Sequence, residues 1–315
     1  MEIISLTYPL QECPAVLKDK KIAVAIGHFD GVHRGHQNVI RQAVQIAKQS
    51  GALSAVMTFL PHPKEVLGQG DQYFSCLTPP GEKQALFAEL GVDIMIVVKF
   101  DLTFAAISPQ QFVDEVLRPL HAEHVVVGFD FTFGSKGQGN PEMMRTMGSP
   151  DIKVDIVDPL YENGEKVSST YIRSALEKGD IALATTLLGR PYELDGIVVH
   201  GDARGRTIGF PTANVGLSKP FITPCLGVFA IKAKVAGKTY SGVLNHGMKP
   251  TFNKEEIRPV LEAHLFDFHQ DIYGEPISLE FHSFIRPEKK FGSVHELIEQ
   301  IGADAKQAKQ FFGLA

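Results

Sequence analysis

The sequence is poor in cysteine and in long apolar runs, and each shortage excludes a class of protein. Its three cysteines, Cys13, Cys76 and Cys225, lie far apart and include no CxxC pair. A disulfide framework is therefore not expected, and a reducing cytoplasm fits best. The N-terminal residues carry no basic-then-apolar signal peptide, and a dense apolar run such as residues 94–98 is too short to span a bilayer. We expect a cytoplasmic protein without a membrane segment.

A strong charge of one sign is also missing. The 315 residues include 31 Lys and Arg against 36 Asp and Glu, a net charge of −5, which gives no broad field to attract nucleic acid. We therefore expect no nucleic-acid partner, and any anionic ligand must be held locally. With 44% hydrophobic residues the chain can bury cores, and its length corresponds to two domains.

The order of the apolar runs predicts an α/β fold with a second, all-β domain. In the first half, short apolar runs alternate with amphipathic stretches such as 39–48 and 82–90, which indicates a parallel sheet wound with helices. Predicted strands are 22–26, 53–59, 92–98, 124–128 and 152–157, and predicted helices are 170–178 and 181–188. From residue 194, β-branched and aromatic runs indicate a small antiparallel barrel or sandwich, followed by a helix from about 293 to 310. The predicted strands of this part are 194–199, 227–235, 239–244, 260–266 and 277–285. We place a Rossmann-like domain at 1–186 and a β-barrel domain at 187–315.

Three common nucleotide and metal fingerprints are absent. Gly237-Lys238-Thr239 is similar to the end of a P-loop, but the first glycine of that loop would fall on Lys232. A GxGxxG segment from Gly137 would need a glycine where Glu142 stands, and no HExxH occurs. Any phosphate site must therefore use other residues.

The first predicted strand is followed by a segment rich in glycine and histidine, GHFDGVHRGH at residues 27–36. Gly27, Gly31 and Gly35 permit close backbone approach to a ligand, and His33 and His36 lie three residues apart where a helix begins. A loop after a parallel strand lies at the carboxyl edge of the sheet, where open α/β folds bind ligands. The segment predicts a phosphate site, and the alternative is a surface turn.

A second polar cluster lies at the start of the predicted helix 170–178. Ser168, Ser169 and Thr170 supply hydroxyl groups, and Arg173 follows one turn later. These groups could hold a polyphosphate from the side opposite the histidines. The alternative is an ordinary helix cap.

The second domain has a glycine-rich loop of its own before Pro211-Thr212-Ala213-Asn214. Glycine N–H groups could wrap a phosphate chain beside two arginines. These residues are Gly201, Gly205, Gly209, Arg204 and Arg206. Thr212 and Asn214 face one way on an extended segment and offer hard oxygens for Mg²⁺. The alternative is a hairpin loop with a solvated basic tip.

Together these segments resemble the prokaryotic bifunctional riboflavin kinase/FMN adenylyltransferase family, also called FAD synthetases. HxGH is the signature of nucleotidylyltransferases, and the Pro-Thr-Ala-Asn segment is similar to the riboflavin kinase signature. The likeness extends over nearly the whole chain and includes TFLPHP at 58–63, GFDFTFG at 128–134 and LEAHLFDF at 261–268. It implies an N-terminal domain that adenylylates FMN with ATP to give FAD, and a C-terminal domain that phosphorylates riboflavin with ATP and Mg²⁺.

The resemblance also implies roles for single residues. His33, His36 and Arg173 would act in adenylyl transfer, and Glu262 would be the catalytic base of the kinase. Further ATP contacts are implied for Phe29, Asp30, Ser169 and Thr170, and flavin contacts for Phe59, Pro61, His62, Phe104, Asp130, Phe131 and Arg286. Glu262 shares one face of its predicted strand with Val260 and His264, which makes that face partly polar. His28 and Leu60 receive no role.

Two other functions are compatible with parts of the sequence. The chain could be another HxGH nucleotidylyltransferase with an unrelated barrel, but residues 211–214 argue against that. It could also be a flavin-binding or sensing protein without catalysis. A protein without catalysis would not need all the residues implied in the two reactions. Their joint presence therefore argues against the flavin-binding or sensing alternative; they are His33, His36, Arg173, Thr212, Asn214 and Glu262.

Overall fold

The computed structural model describes residues 1–68, 75–201, 205, 209–250 and 257–314. Contacts between Cα atoms divide the chain into two units, Met1–Ser169 and Thr170–Ala315. The division lies ahead of the two helices that precede the barrel, so both fall almost wholly in the second unit. The boundary between residues 186 and 187 stays a prediction.

The first unit is built on a six-stranded parallel sheet in the order β1-β4-β3-β2-β5-β6. The strands are β1 Glu2–Leu6, β2 Ile22–Ile26, β3 Leu53–Leu60, β4 Ile94–Lys99, β5 Ala122–Gly128 and β6 Lys153–Val157. All five residues of the central strand β2 are buried, as expected for a parallel strand that is covered on both faces. A separate hairpin is formed by β7 Tyr161–Glu162 and β8 Glu165–Lys166.

Helices cover both faces of this sheet. They are α1 Arg34–Ser50, α2 Pro63–Val66, α3 Pro80–Glu89, α4 Leu102–Ala105, α5 Pro109–Gln111 with its continuation Phe112–Leu117, and α6 Pro141–Gly148. One apolar cluster joins Ile26 and Met57 of the sheet to Phe112 and Met144. A second joins Val56 to Ile40 of α1 and Phe87 of α3. The sheet therefore has a core on each side, which leaves its carboxyl edge open for loops.

The second unit contains a closed antiparallel barrel in the order β10-β13-β12-β11-β14-β9. The strands are β9 Tyr192–Val199, β10 Ala213–Leu217, β11 Gly227–Val235, β12 Lys238–Pro250, β13 Ile257–Leu265 and β14 Pro276–Arg286. The sequence predicted either a barrel or a sandwich, and the structure shows a closed barrel. Closure also removes the free sheet edges that an open sheet would have.

Three helices complete the second unit: α7 Ser169–Glu177, α8 Ile181–Leu188 and α9 Val294–Phe311. Helix α8 packs against β9 and β14. Helix α9 packs on the outside of β11, β12 and β14, where Ala308 lies against Ala230, Val243 and Phe266. The predicted fold class, a Rossmann-like domain followed by a barrel and a C-terminal helix, is confirmed. No helix in the described part of the chain is both long and apolar enough to cross a membrane.

Candidate functional site

The histidine segment forms the turn from β2 into α1. His33 caps α1, because its Nδ1 accepts the backbone N–H of His36 at 3.2 Å. The two imidazoles stack with centroids 3.5 Å apart and planes 19° apart. A Cβ on Gly35 would lie 3.2 Å from the ring of His33, so glycine allows the ring to lie over the first helical turn. The predicted pair of imidazoles is thus brought together.

The surroundings of His36 are buried and cationic. Burial lowers the pKa of His36 well below its usual value, and the neighbouring His33, His28, Lys83 and Lys166 lower it further. Among the described residues, no hydrogen-bond partner reaches the buried Nδ1 of His36. The ammonium groups of Lys83 and Lys166 favour an anion in this pocket, because an anion would offset their charge.

The loop between β2 and α1 has an unusual backbone. Phe29 and Val32 have positive φ angles, 54° and 41°, as does Gly31 at 84°. Positive φ is costly for residues with a Cβ, so the surrounding structure must hold this loop. Gly27 enters it by donating its N–H to the Met57 carbonyl at 3.1 Å.

Asp30 is one of the groups that hold the loop. Its Oδ1 accepts the N–H groups of Leu77 at 2.9 Å and Thr78 at 3.2 Å, and its side chain is buried. The Asp30 carbonyl accepts the Ser169 hydroxyl at 2.8 Å. Asp30 and Ser169 therefore help to hold the loop in place. The phosphate contacts implied for both stay predictions.

The aromatic residues predicted to bind the flavin lie at the carboxyl end of the first sheet or close to it. Phe59 and Phe104 belong to the apolar core with ring centroids 5.9 Å apart, while the half-buried Phe131 stacks on Phe133 at 6.0 Å. Exposed Asp130 pairs with Lys166. Pro61 is exposed, and the ring of His62 lies 3.9 Å from that of His28. Flavin binding by this set stays a prediction.

Arg173 and Thr170 lie on α7 and belong to the second unit, whereas the histidines belong to the first. Arg173 is half-buried and Thr170 is exposed. The role implied for both in holding a polyphosphate stays a prediction.

A cavity of about 340 Å³ lies on the outer side of the barrel beside α9, and its lining includes Thr212, Asn245, Glu262, His264 and Arg286. Strand register explains this set. Glu262 on β13 pairs with Asn214 on β10 and with Asn245 on β12. Leu261 and Ala263 are buried and alternate with Glu262 and His264, which face the cavity. The strands therefore place the predicted base between two carboxamides.

A second cavity of about 330 Å³ shares Thr212 with the first. Its lining includes Pro211, Phe268, His269 and Tyr273. Two cavities that share a lining residue are suited to a reaction between two bound molecules, because the reacting groups can approach each other near that residue.

The glycine loop ahead of β10 is only partly described. A Cβ on Gly201 would lie 2.1 Å from the Asn214 amide nitrogen, and one on Gly205 would lie 2.2 Å from the Phe210 carbonyl oxygen, so close packing requires glycine at both. Gly209 has φ of 86°. The predicted phosphate contacts of Arg204 and Arg206 fall on residues outside the described part of the chain.

Thr212 and Asn214 are the predicted donors to Mg²⁺ in the second unit. Both offer neutral oxygens, and Asn214 is buried beside Glu262. In the described residues, no cluster of three or more His, Cys, Asp or Glu side chains could hold a metal ion. The set fits an ion that keeps waters and takes most of its ligands from phosphate oxygens, which is the way Mg²⁺ binds with nucleotides.

Comparison with known proteins decides the family. Residues 16–171 match the family model for FAD synthetase, and residues 188–312 match the one for riboflavin kinase. The bifunctional riboflavin kinase/FMN adenylyltransferase of Bacillus subtilis is 46% identical over 99% of this chain and 98% of its own. The relative from Escherichia coli K12 is 38% identical over 100% of this chain and 99% of its own. The chain belongs to the bifunctional riboflavin kinase/FMN adenylyltransferase family.

A solved structure shows the same fold. The crystal structure of a protein from Streptococcus pneumoniae, described as a macrolide-efflux protein, has a TM-score of 0.85 and 34% identity, and the match covers 96% of this chain and 97% of that one. Residues 188–312 match the family model for riboflavin kinase. The alternative of a nucleotidylyltransferase with an unrelated barrel is therefore wrong.

Three residues at the sites of this family member were not predicted from its sequence. Lys83 is buried beneath the histidine loop. Asn245 is in register with Glu262, and the carboxylate of Glu288 accepts the Met248 N–H at 3.3 Å at the wall of the same cavity. A lysine within the amphipathic stretch 82–90 was a usable signal for Lys83. The position of Asn245 depends on strand register, and Glu288 lies in the segment that follows β14.

Arg286 has a second set of partners. Its guanidinium donates to Asp304 of α9, with Nε–Oδ1 at 2.9 Å and a terminal nitrogen to Oδ2 at 2.7 Å. It therefore ties α9 to the barrel at the cavity wall. Its predicted flavin contact stays a prediction.

Proposed function

We propose that the two activities of this chain are divided between its two units. The chain is a riboflavin kinase and an FMN adenylyltransferase, with riboflavin, FMN, FAD and ATP as substrates or products. One observation carries the division: His33 and His36 lie in the first unit, while Thr212, Asn214 and Glu262 lie in the second. Each set also falls within the matching family model, FAD synthetase or riboflavin kinase.

In the first unit, an FMN phosphate oxygen attacks the α-phosphorus of ATP, and pyrophosphate leaves. Charge moves onto the phosphate oxygens in such a transfer, so fixed donors stabilise the transition state. We assign this task to His33 and His36, whose surroundings are cationic. The family resemblance also implies that Ser169, Thr170 and Arg173 hold the departing pyrophosphate. Thr170 and Arg173 belong to the second unit, so the proposed division rests on the two histidines and not on these residues.

In the second unit, the riboflavin 5′-hydroxyl attacks the γ-phosphorus of ATP, and ADP leaves. Glu262 accepts the hydroxyl proton as general base. We place riboflavin in the cavity that contains Glu262 and Arg286, and the nucleotide in the cavity bounded by Phe268 and Tyr273. The supporting observation is that Thr212 lines both.

Thr212 and Asn214 would hold Mg²⁺ together with phosphate oxygens of the nucleotide. When bound there, the ion would supply charge neutralisation for the transferred group. Within this chain, Gly201 keeps the Asn214 carboxamide in place by packing against it, and the register keeps that carboxamide next to Glu262.

We also propose a cytoplasmic enzyme without a nucleic-acid partner. The three cysteines are free and half-buried, which fits a reducing compartment. The excess of acidic residues over basic ones gives no broad attraction for nucleic acid.

Two reciprocal variants test the division. His36→Ala should reduce FAD formation from added FMN by about 10²-fold or more and leave riboflavin phosphorylation near that of the wild type. Glu262→Gln keeps the shape of the side chain and removes its basicity, so it should reduce kcat for FMN formation by about 10²- to 10⁴-fold and leave the conversion of FMN to FAD intact. Both rates are measured by chromatography of the flavins. Equal loss of both activities in a folded variant would contradict separate sites.

A further inference from the structure

A lysine side chain is buried under the histidine loop. Lys83 on α3 is 2% exposed, and burial lowers the pKa of its ammonium. Burying an amine is costly unless it makes specific hydrogen bonds. Lys83 lies one helical turn before Phe87, and these two are the buried residues of α3. Because Phe87 belongs to an apolar cluster, a hydrocarbon side chain would be the simpler occupant if only volume mattered.

The Lys83 side chain reaches one particular peptide of the loop. Its Nζ donates to the His28 carbonyl at 3.1 Å, and the Thr58 hydroxyl of β3 donates to the same oxygen at 3.1 Å. Two donors from two different elements therefore hold one carbonyl. It belongs to the residue just before Phe29, where the backbone turns into the left-handed region with φ of 54°.

The other end of this peptide faces the opposite way. In a planar trans peptide the C=O and N–H groups point in opposite directions, so holding the His28 carbonyl also fixes the Phe29 N–H. Within the described residues, no backbone or side-chain acceptor binds the Phe29 N–H. The group lies in the turn at the carboxyl edge of the sheet, where His33 and His36 also lie.

We propose that Lys83 is a positioning residue for adenylyl transfer: with Thr58 it holds the His28 carbonyl inward, so that the Phe29 N–H is presented to a phosphate group of ATP. This role rests on the proposed function of the histidine loop. Lys83 does not touch the nucleotide. Its effect passes through the peptide, and its charge acts on His36 together with that of Lys166.

The first test compares single and double variants of the full chain. Lys83→Met keeps the length of the side chain and removes the donor, and Thr58→Val removes the second donor. We expect kcat for FAD formation from FMN to fall by about 10²-fold in Lys83→Met and by a smaller factor in Thr58→Val. KM for ATP should change less than kcat. Because both donors act through one carbonyl, the double variant should lose less than the product of the single losses.

Riboflavin phosphorylation in the same tube is the internal control, and it should stay at the wild-type rate. The matched control is Lys48→Met, which removes an exposed lysine of α1 and should change neither activity. Wild-type kcat for FAD formation in a folded Lys83→Met variant would overturn the proposal. An equal loss of both activities would also overturn it, since that indicates general damage.

The second test observes the peptide itself. In ¹⁵N spectra of the full chain, adding ATP should shift the Phe29 amide resonance in the wild type, and the shift should be much smaller in Lys83→Met. A Phe29 amide that does not respond to ATP in an active wild-type enzyme would overturn the proposal. If Lys83→Met fails to fold, Thr58→Val carries both tests and must show the same two effects. A wild-type chain that makes no FAD would refute the proposed function itself and not the positioning role alone.

Discussion

The buried imidazole of His36 makes the stability of the first unit depend on pH. Burial and nearby cations lower the pKa of His36 in the folded chain, whereas in the unfolded chain it returns to about 6.5. Below about that pH the unfolded chain binds a proton that the folded chain refuses, so stability is lost as the pH falls. Burial lowers the pKa of His246 in the barrel in the same sense.

Hydrogen exchange of the β2 amides at pH 7.5 and 5.5 measures this effect in the first unit. We expect the free energy of opening to fall at the lower pH, and to fall less in His36→Gln than in the wild type. A His36→Gln variant with the same decrease as the wild type would remove His36 as the source.

At the level of single residues, the sequence predicted what is local and missed what depends on register. His33 and His36 lie within one strand-to-helix turn, so their proximity followed from spacing alone. Asn245 and Asn214 reach Glu262 only because β12 and β10 flank β13 with one particular alignment. A shift of one residue would turn each carboxamide to the other face, and nothing in the local sequence fixes that alignment.

At the level of elements, α9 is fastened to the barrel by a buried ion pair. Asp304 accepts from Arg286 and also from Gln300 at 2.9 Å, and its side chain is 5% exposed. Asp304→Ala leaves the Arg286 charge without its partner, and removing one side of such a pair costs about 3–5 kcal/mol. We expect a loss of this size in urea unfolding of the second unit, together with weaker riboflavin binding, because Asp304 and Arg286 both line the cavity.

The control for this prediction lies on the same helix. Glu299 faces His295 in a pair that is exposed on both sides, so Glu299→Ala should change stability by less than about 1 kcal/mol. Equal effects of Asp304→Ala and Glu299→Ala would contradict the account of α9.

Strands were predicted from the sequence where a continuous apolar run marks them, and missed where it does not. The bounds of β2 and β11 match the predicted 22–26 and 227–235, because continuous β-branched and apolar runs mark both. Strands β1 and β10 were not predicted. β1 is an edge strand with three exposed residues out of five, and β10 contains Asn214 and Gly216, which disfavour strands in isolation.

At the level of the whole molecule, helices α7 and α8 belong to the same unit as the barrel that follows them. The N–H of Cys225 donates to the Leu176 carbonyl at 3.0 Å, and Ile181, Leu187 and Leu188 of α8 are buried. A fragment of residues 170–315 should therefore keep kinase activity and melt at a clearly higher temperature than a fragment of residues 187–315. Equal melting temperatures would show that α7 and α8 add nothing to the barrel and would favour the boundary predicted at 186–187.

The central claim is that one chain carries out two consecutive flavin reactions, and one measurement tests it directly. The full-length protein is incubated with riboflavin, ATP and Mg²⁺, and the flavins are separated by chromatography over time. The account predicts that FMN appears first and that FAD follows. For each FAD formed, one ATP becomes ADP, and a second gives its AMP part to the flavin and releases pyrophosphate. A time course in which FMN accumulates and FAD never appears, or in which riboflavin is bound and no ATP is consumed, would contradict it.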